Sequence, residues 1–353
     1  MKALQLVAHG SPGKFELRDV PDPQPAAGDV IVEVHACGLN HLDLWAEASE
    51  LPIPIKLPLT PGCEIAGKIA KVSSPLPMGE GQGEGELQVG ARVAVQSNLF
   101  CGACEYCRRG DESMCINNVM LGVQRHGGFA DQVVVPARAL VPLPDNVDFT
   151  TSAALTLAGS TAMHMLTNRT TVKPGDWVLV MAGASGVGSA AIQIACGLGA
   201  HVISTGSTEA KRNLARKLGA EAVLDLADSN WPAEVRKITA KRGVDVVIEH
   251  IGGAVLQQTF NCLARAGNIV TCGATSGKDV PIDLWPLFVK QQRLIGSYGR
   301  NAADFKATLA WAADGRLKPV IDTVLPLAET PRAYELLRSR KVLGKVVVAP
   351  KAA

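Results

Sequence analysis

A glycine-rich turn between two apolar segments constrains the fold of this chain more than any other feature. Residues 176–189 read DWVLVMAGASGVGS, with an apolar run over 178–182 and glycines at Gly183, Gly186 and Gly188. The run is typical of a parallel strand covered on both faces, and the small apolar residues over 189–198 predict a helix. Such a turn lets a pyrophosphate approach the N–H groups of a helix N-terminus, which predicts a dinucleotide site.

The motif alone is weak evidence. The pattern G-x-G-x-x-G needs a second glycine where this chain has Ser185, and a tight turn without a ligand is the alternative. The residues that follow favour the site, because predicted strands and helices alternate after it. The predicted strands are 199–206, 222–225, 245–250, 267–273 and 294–298. This alternation is typical of a doubly wound parallel sheet.

Length and charge narrow the class of protein. A chain of 353 residues favours two domains. A net charge of +2 without a basic tract argues against nucleic-acid or membrane partners. The N-terminus lacks a signal-peptide pattern and no segment is long and apolar enough to span a membrane. We therefore expect a cytoplasmic protein whose nine cysteines are reduced.

The first 70 residues read mostly as strands and turns, and the low-complexity segment 73–86 is predicted to be a mobile loop. After it come Cys101, Cys104, Cys107 and Cys115 with the spacing C-x2-C-x2-C-x7-C. Four thiolates so close in sequence predict a structural zinc site, since no position stays open for substrate. An iron–sulfur cluster or free thiols are the alternatives. Arg108 and Arg109 would offset the negative charge of the tetrathiolate.

With these residues in view, the whole chain resembles the medium-chain dehydrogenase/reductase superfamily. The resemblance rests on the glycine turn, the four-cysteine lobe, Gly62-Cys-Glu-Ile-Ala-Gly67, Gly127-Gly-Phe-Ala130 and Lys173-Pro-Gly-Asp176. It implies an α/β fold in which a Rossmann doubly wound parallel sheet is inserted in a mostly β GroES-like catalytic domain. The implied limits are 1–155 for the GroES-like substrate domain with a zinc lobe at about 97–118, 156–299 for the Rossmann domain, and 300–353 for the return to the catalytic domain.

The chain departs from the family's alcohol dehydrogenases where these hold a catalytic zinc. The resemblance places Asn40, Cys63 and Leu157 at the positions of the Cys, His and Cys ligands. Asparagine is a poor zinc ligand and leucine is none, so we do not expect a catalytic zinc. Cys37 and Cys63 leave a route to an unusual metal site, whereas two small buried cysteines are the alternative.

Without a catalytic zinc, the resemblance implies the quinone oxidoreductase branch. We predict NADPH-dependent hydride transfer to a quinone or an α,β-unsaturated carbonyl, because the resulting phenolate or enolate is stabilised by hydrogen bonds alone. Asn40 would donate its amide N–H to the substrate oxygen, His41 would reach the cofactor pyrophosphate, and Asp43 either braces the loop or takes part in the chemistry. Two alternatives stay open: a zinc-dependent alcohol dehydrogenase with altered ligands, and a non-enzymatic cofactor-binding protein of the crystallin type.

Cofactor choice is read at the end of the second strand of the sheet, where NAD enzymes place an acid. Here the chain reads Ser204-Thr-Gly-Ser-Thr208, with Lys211 and Arg212 following, so we predict NADP(H), with NAD(H) possible because Glu209 lies close by. The residues predicted to contact the cofactor are His41, Thr161, Gly183, Ser185, Gly186, Val187, Gly188, Thr205, Ser207, Lys211, Cys272, Gly273 and Ala274. A small-molecule substrate and a homodimer or homotetramer are expected by analogy, with the sixth strand at the subunit contact.

Overall fold

The computed structural model describes residues 1–73 and 87–350, so the segment predicted to be a mobile loop lies outside the described residues except for Ser73. The chain forms two compact units. The first comprises Met1–Ala158, Asn301–Asp314 and Pro319–Ala353, and the second comprises Gly159–Arg300 and Gly315–Lys318. Within the described ranges, no helix has the length and apolar character needed to cross a bilayer.

The strands, numbered in chain order, are β1 (Lys2–Ala8), β2 (Lys14–Asp19), β3 (Asp29–Gly38), β4 (Glu64–Val72), β5 (Arg92–Val95), β6 (Asn98–Leu99), β7 (Val119–Met120), β8 (Gln132–Pro136), β9 (Leu140–Pro142), β10 (Trp177–Val180), β11 (His201–Gly206), β12 (Ala222–Asp225), β13 (Val244–Glu249), β14 (Leu263–Thr271), β15 (Arg293–Gly296), β16 (Ile321–Pro326) and β17 (Lys345–Ala349). The α-helices are α1 (His41–Ala48), α2 (Glu105–Arg108), α3 (Phe149–Ala153), α4 (Ala158–His164), α5 (Gly186–Gly197), α6 (Glu209–Lys217), α7 (Trp231–Ile238), α8 (Gly253–Thr259), α9 (Leu284–Val289), α10 (Ala302–Ala313) and α11 (Thr330–Arg338).

The second unit is built on a six-stranded sheet in the order β12-β11-β10-β13-β14-β15. All of its strand pairs are parallel. Its central strands carry runs of Val, Ile and Leu because they are buried on both faces; Leu179, Ile203 and Val247 are fully buried. The strand order 3-2-1-4-5-6 is that of the Rossmann fold. The predicted doubly wound sheet is therefore confirmed.

The first unit is mostly β structure. Its main sheet has the order β16-β17-β3-β4-β5-β9, and β8 also pairs with β3. The last strand of the chain lies antiparallel to β3, with Val348 opposite Cys37 and Val347 opposite Gly38. This pairing brings the start of β17 beside the residues that follow β3, where the candidate site residue Asn40 lies.

The Ala, Leu and Met content of residues 151–166 predicts a single helix, but this prediction is wrong. The structure has α3 and α4 instead, separated by a turn over residues 154–157. The apolar content of this segment is helical in character, but a break is stabilised because the backbone N–H groups of Leu157 and Ala158 donate to the Glu64 carboxylate, at 2.7 and 2.9 Å. Such a long-range partner for a helix start is not visible in local sequence.

Candidate functional site

The glycine turn connects β10 to α5, and close packing explains its glycines. A Cβ atom on Gly183 would lie 2.2 Å from the Ser204 hydroxyl oxygen, and one on Gly188 would lie 2.3 Å from the carbonyl oxygen of Ala182. Both distances are shorter than any real contact, so neither position accepts a side chain without rearrangement.

Ser185 occupies the place of the missing glycine, and it caps the helix. Its Oγ accepts a hydrogen bond from the Gly188 N–H at 3.0 Å and lies 3.0 Å from His250 Nε2. Serine is a favoured N-cap residue because its side chain satisfies a backbone donor that the helix leaves unpaired. Thr205 supports the turn from β11, since its hydroxyl accepts the Ala182 N–H at 3.0 Å.

The first N–H groups of α5 are available to a ligand. Among the described residues, none accepts a hydrogen bond from the N–H of Gly186 or Val187, which are the first two residues of the helix. Unpaired donors at the positive end of a helix form an anion site. The turn therefore fits the pyrophosphate of a dinucleotide.

Of the other residues predicted for the cofactor, His41 belongs to the first unit and the rest belong to the same unit as the glycine turn. Ser207 and Lys211 lie where β11 leads into α6, and Gly273 and Ala274 directly follow β14. The carboxyl ends of parallel strands meet at one edge of a sheet, so these residues share an edge with the glycine turn. Cys272 is at the same edge, and desolvation raises the pKa of its thiol to about 12. Thr161 is a buried residue of α4.

Arg212 organises the end of β11. Its guanidinium lies 2.7 Å from an Asp225 carboxylate oxygen and 2.9 Å from a Glu209 carboxylate oxygen, and Nη1 also donates to the Gly206 carbonyl at 3.3 Å. Arg216 binds the other Glu209 oxygen at 3.1 Å. These hydrogen bonds from Arg212, followed by those from Arg216, lower the pKa of Glu209. Its carboxylate is thus already engaged by two arginines.

The four cysteines of the predicted zinc site converge in the lobe formed by β6, β7 and α2. Their sulfurs all lie within 4.8 Å of one another, with Cys104 Sγ 3.5 Å and Cys101 Sγ 4.0 Å from Cys107 Sγ. A tetrahedral site with Zn–S bonds of about 2.3 Å requires sulfurs about 3.8 Å apart. The donor set and its spacing fit a structural zinc.

Backbone N–H groups in the lobe donate hydrogen bonds to one of the ligand sulfurs and so favour its thiolate form. The N–H groups of Ala103 and Cys104 donate to Cys101 Sγ at 3.5 and 3.3 Å, and these bonds lower the pKa of the Cys101 thiol to about 6. Arg109, which is predicted to offset the charge of the site, binds Asp111 at 2.6 Å, and its guanidinium lies over the ring of Tyr106.

Asn40 precedes α1, and its side-chain amide joins a buried charge pair. Its Nδ2 donates to Glu64 Oε2 at 2.9 Å, and its Oδ1 accepts from Lys345 Nζ at 2.7 Å. Glu64 and Lys345 form an ion pair of 2.5 Å, with side chains 0% and 4% exposed. We call Asn40, Glu64 and Lys345 the amide–charge triad.

Asp43 and His41 are placed differently within α1. Asp43 is buried, and its carboxylate accepts a hydrogen bond from the Asn40 backbone N–H at 2.8 Å. This contact is of the kind expected if Asp43 braces the loop that precedes α1. Burial raises the pKa of its carboxyl group to about 7. The ring of His41 packs edge-on against Trp45, and burial, followed by the charge of Arg340, lowers its pKa. At neutral pH the imidazole is therefore uncharged and contacts an anion only through an N–H group.

The residues at the family's catalytic-zinc positions do not fit a metal. Leu157 offers no donor atom, the Asn40 amide is engaged by Glu64 and Lys345, and the Lys345 ammonium already neutralises Glu64. Burial raises the pKa of Cys37 well above its usual value, so it stays a thiol. Within residues 1–73 and 87–350, the four lobe cysteines form the one group of three or more His, Cys, Asp or Glu side chains arranged to hold a metal ion.

Comparison with known proteins identifies the family. Residues 26–145 match the alcohol dehydrogenase GroES-like domain and residues 186–314 match the zinc-binding dehydrogenase domain. The NAD-dependent alcohol dehydrogenase of Sulfolobus acidocaldarius is 32% identical over 356 residues, covering 99% of both chains. The chain belongs to the zinc-type medium-chain dehydrogenase/reductase superfamily. It is an oxidoreductase.

Two further similar proteins are also named alcohol dehydrogenases. An alcohol dehydrogenase of Geobacillus stearothermophilus is 30% identical over 336 residues, covering 95% of this chain and 96% of that protein. The crystal structure of an NAD-dependent alcohol dehydrogenase superposes with a TM-score of 0.93 at 35% identity, covering 99% of both chains.

These comparisons overturn the prediction of a quinone or enone reductase. The similar proteins are named alcohol dehydrogenases, so the alternative of a zinc-dependent alcohol dehydrogenase with altered ligands is better supported. The absence of metal ligands changes how a substrate oxygen is stabilised, but it does not determine which class of substrate carries that oxygen.

Sequence reasoning missed Lys345 and the role of Glu64 as its partner. Glu64 belongs to the quoted Gly62–Gly67 motif, but Lys345 lies in an ordinary-looking last strand, 281 positions further along the chain. A lysine at the start of an otherwise apolar strand, Gly344-Lys-Val-Val-Val, is the only local signal that a buried partner exists.

Proposed function

We propose that this protein is a nicotinamide-dependent dehydrogenase that interconverts an alcohol and its carbonyl compound. The observation that supports it is the end-to-end relationship to proteins named alcohol dehydrogenases, together with a glycine turn whose free N–H groups fit a dinucleotide. The bound nicotinamide supplies or accepts the hydride. The chain itself must stabilise the substrate oxygen, which carries negative charge as hydride is transferred.

Asn40 is the proposed donor to that oxygen. Its side chain is half-buried, and its amide is fixed by Glu64 and Lys345. A fixed N–H donor stabilises a developing alkoxide by hydrogen bonding, without a metal ion. Asp43 holds the Asn40 backbone, and His41 is proposed to bind the cofactor through a neutral imidazole N–H.

The direct test is an activity panel. The purified protein is assayed with primary and secondary alcohols and NAD+ or NADP+, and with aldehydes, ketones, benzoquinones and enones and the reduced cofactors. Turnover of an alcohol–carbonyl pair at a kcat/KM at least about tenfold above that for any quinone or enone is expected. Tight cofactor binding without alcohol or carbonyl turnover would contradict the proposal.

We further propose that the chain prefers NADP(H). The end of β11 has Gly206 in place of an acid, and the cluster around it contains three cations, Lys211, Arg212 and Arg216, against the two carboxylates of Glu209 and Asp225. The excess positive charge favours a 2′-phosphate. The relatives named NAD-dependent are the opposing observation, so the preference needs its own test.

Gly206→Asp is expected to reverse the cofactor preference. A carboxylate at the end of β11 repels the 2′-phosphate and accepts hydrogen bonds from the ribose diol of NAD(H). We expect the Kd for NADPH to rise at least about tenfold and that for NADH to fall, as measured by fluorescence titration. Gly206→Asn is the matched control, since it has the same shape without charge. A Cβ atom here lies 3.1 Å from Arg212 atoms, and both variants share that crowding. Tighter binding of NADH than NADPH by the unmodified protein would refute the preference.

The proposed assembly is a homodimer through the edge of the parallel sheet. Six of the twelve exposed large apolar side chains in the described chain lie between Leu284 and Tyr298, on α9 and beside the edge strand β15. Trp285 and Phe288 are 70% and 57% exposed and pack against each other. A sheet edge beside so large an apolar patch is unstable in water unless another surface covers it.

The double variant Trp285→Glu/Phe288→Glu is expected to shift the protein from dimer to monomer. Light scattering after size exclusion should give about twice the chain mass of 37.0 kDa for the unmodified protein and the chain mass for the variant. Leu17→Glu is the control, because Leu17 is exposed on β2 in the first unit, whereas the patch belongs to the second unit. A monomeric unmodified protein would contradict the proposed assembly. The cytoplasmic location predicted from the sequence remains part of this proposal, supported by nine cysteines that form no disulfide bond in the described part of the chain.

A further inference from the structure

The ammonium group of Lys345 has an unusual environment for a lysine. Its side chain is 4% exposed, and Nζ contacts three oxygens: the Leu39 carbonyl at 2.5 Å, Asn40 Oδ1 at 2.7 Å and Glu64 Oε2 at 2.5 Å. An ammonium group has three N–H donors and no acceptor. All three donors are used, so Lys345 has none left for a substrate.

The triad fixes the orientation of the Asn40 amide. Because Lys345 only donates, the carbonyl end of the amide must face it. Because an ionised Glu64 only accepts, the NH2 end must face Glu64 Oε2, at 2.9 Å. Glu64 itself is held by the backbone N–H groups of Leu157 and Ala158. If the amide were flipped, its NH2 group would face the Lys345 ammonium, two donors together, and its carbonyl oxygen would face the Glu64 carboxylate, two acceptors together. The observed orientation is therefore strongly favoured.

One amide N–H of Asn40 remains for a ligand. Nδ2 donates its first hydrogen to Glu64, and the other acceptor near it is Cys63 Sγ at 3.9 Å, a weak acceptor at the limit of hydrogen-bond distance. A substrate oxygen is a better partner than this sulfur. Withdrawal of electron density from Oδ1 by the ammonium group makes the remaining N–H a stronger donor, as in other hydrogen-bond chains in a low dielectric.

We infer that Lys345 is a positioning residue for the proposed reaction, which orients and polarises the Asn40 amide so that its second N–H stabilises the substrate oxygen in place of the weak contact with Cys63. The inference rests on the proposed function. A buried ammonium group, acting through the amide, then supplies positive charge beside the positions that match the family's metal ligands. Lys345 neither contacts the substrate nor transfers a proton.

A double-mutant cycle separates this role from simple cross-linking of β17 to the residues after β3. Glu64→Gln/Lys345→Met removes both buried charges together, so that neither is left unpaired, and Asn40→Leu removes the amide. Each is expected to lower kcat for the alcohol–carbonyl pair about 100-fold, with the Kd for NADPH unchanged. The triple variant should lose no more than Asn40→Leu alone, because both changes remove one donor. Lys345→Arg, which keeps the charge, should retain more activity than the double variant. Losses that multiply in the triple variant would overturn the inference.

A second measurement does not depend on turnover. The Asn40 side-chain amide resonances, assigned by their disappearance in Asn40→Leu, are expected to move upfield and to exchange faster with solvent in Glu64→Gln/Lys345→Met. If they do so in a protein that turns over no alcohol or carbonyl, the proposed function fails while the positioning of Asn40 by Lys345 stands. If they are unchanged, the inference fails whatever the activity.

Discussion

Lys345→Met is expected to destabilise the protein by about 3–5 kcal/mol, because it leaves the fully buried Glu64 carboxylate without its cation. Two backbone N–H groups and the Asn40 amide still donate to Glu64, but none of them carries a compensating charge. The loss should appear in urea-induced unfolding as a lower midpoint with an unchanged slope.

Two variants test the reason for this loss. Adding Glu64→Gln to Lys345→Met should restore most of the stability, since the buried charge is then gone. Lys341→Met removes an exposed lysine from the turn before β17 and should change stability by no more than about 0.5 kcal/mol. If Lys345→Met unfolds at the same urea concentration as Lys341→Met, the ion pair contributes no net stability and our account of the triad is wrong.

Cys107→Ser is expected to abolish zinc binding in the lobe. Cys107 Sγ lies within 4.0 Å of two of the other ligand sulfurs, and a serine hydroxyl does not replace a thiolate as a zinc ligand at neutral pH. Bound zinc, measured by mass spectrometry after dialysis, should fall from about one per chain to near zero. Folding of such a lobe is coupled to the metal, so the thermal midpoint should also fall.

Cys196→Ser is the control for this experiment. Cys196 is a half-buried thiol of α5 in the second unit, and its Sγ donates a hydrogen bond to the Gly219 carbonyl at 3.4 Å. This variant should keep its zinc. Full zinc content in Cys107→Ser would mean that the four sulfurs do not hold the metal.

The parallel sheet could be read from the sequence because its information is local. Strands covered on both faces need continuous apolar residues, and β10 and β13 show them as Trp177-Val-Leu-Val and Val246-Val-Ile248. The helix α9 of the same unit is less evident from the sequence. The α9 sequence, Leu284-Trp-Pro-Leu-Phe-Val, has apolar residues all round and a proline, so its pattern does not distinguish a helix from a buried strand.

The features of the candidate site also differ in how far local sequence predicts them. The glycine turn and the four-cysteine lobe lie in short stretches of sequence. The cysteine spacing predicts the lobe by itself, whereas the glycine turn also depends on the strands and helices that alternate after it. The function was harder to predict from the sequence. The absence of three metal ligands led to a quinone or enone as the predicted substrate, and the relationship of the whole chain to alcohol dehydrogenases corrected that prediction.

The sequence by itself determined the doubly wound sheet, the glycine turn and the four-cysteine lobe, because each depends on residues close together in the chain. Only the tertiary structure decided which groups surround Asn40, at one of the positions that match the family's metal ligands. Lys345 reaches Asn40 across 305 positions, through the pairing of the last strand with β3. The energy of that contact depends on burial, and burial is a property of the folded chain as a whole.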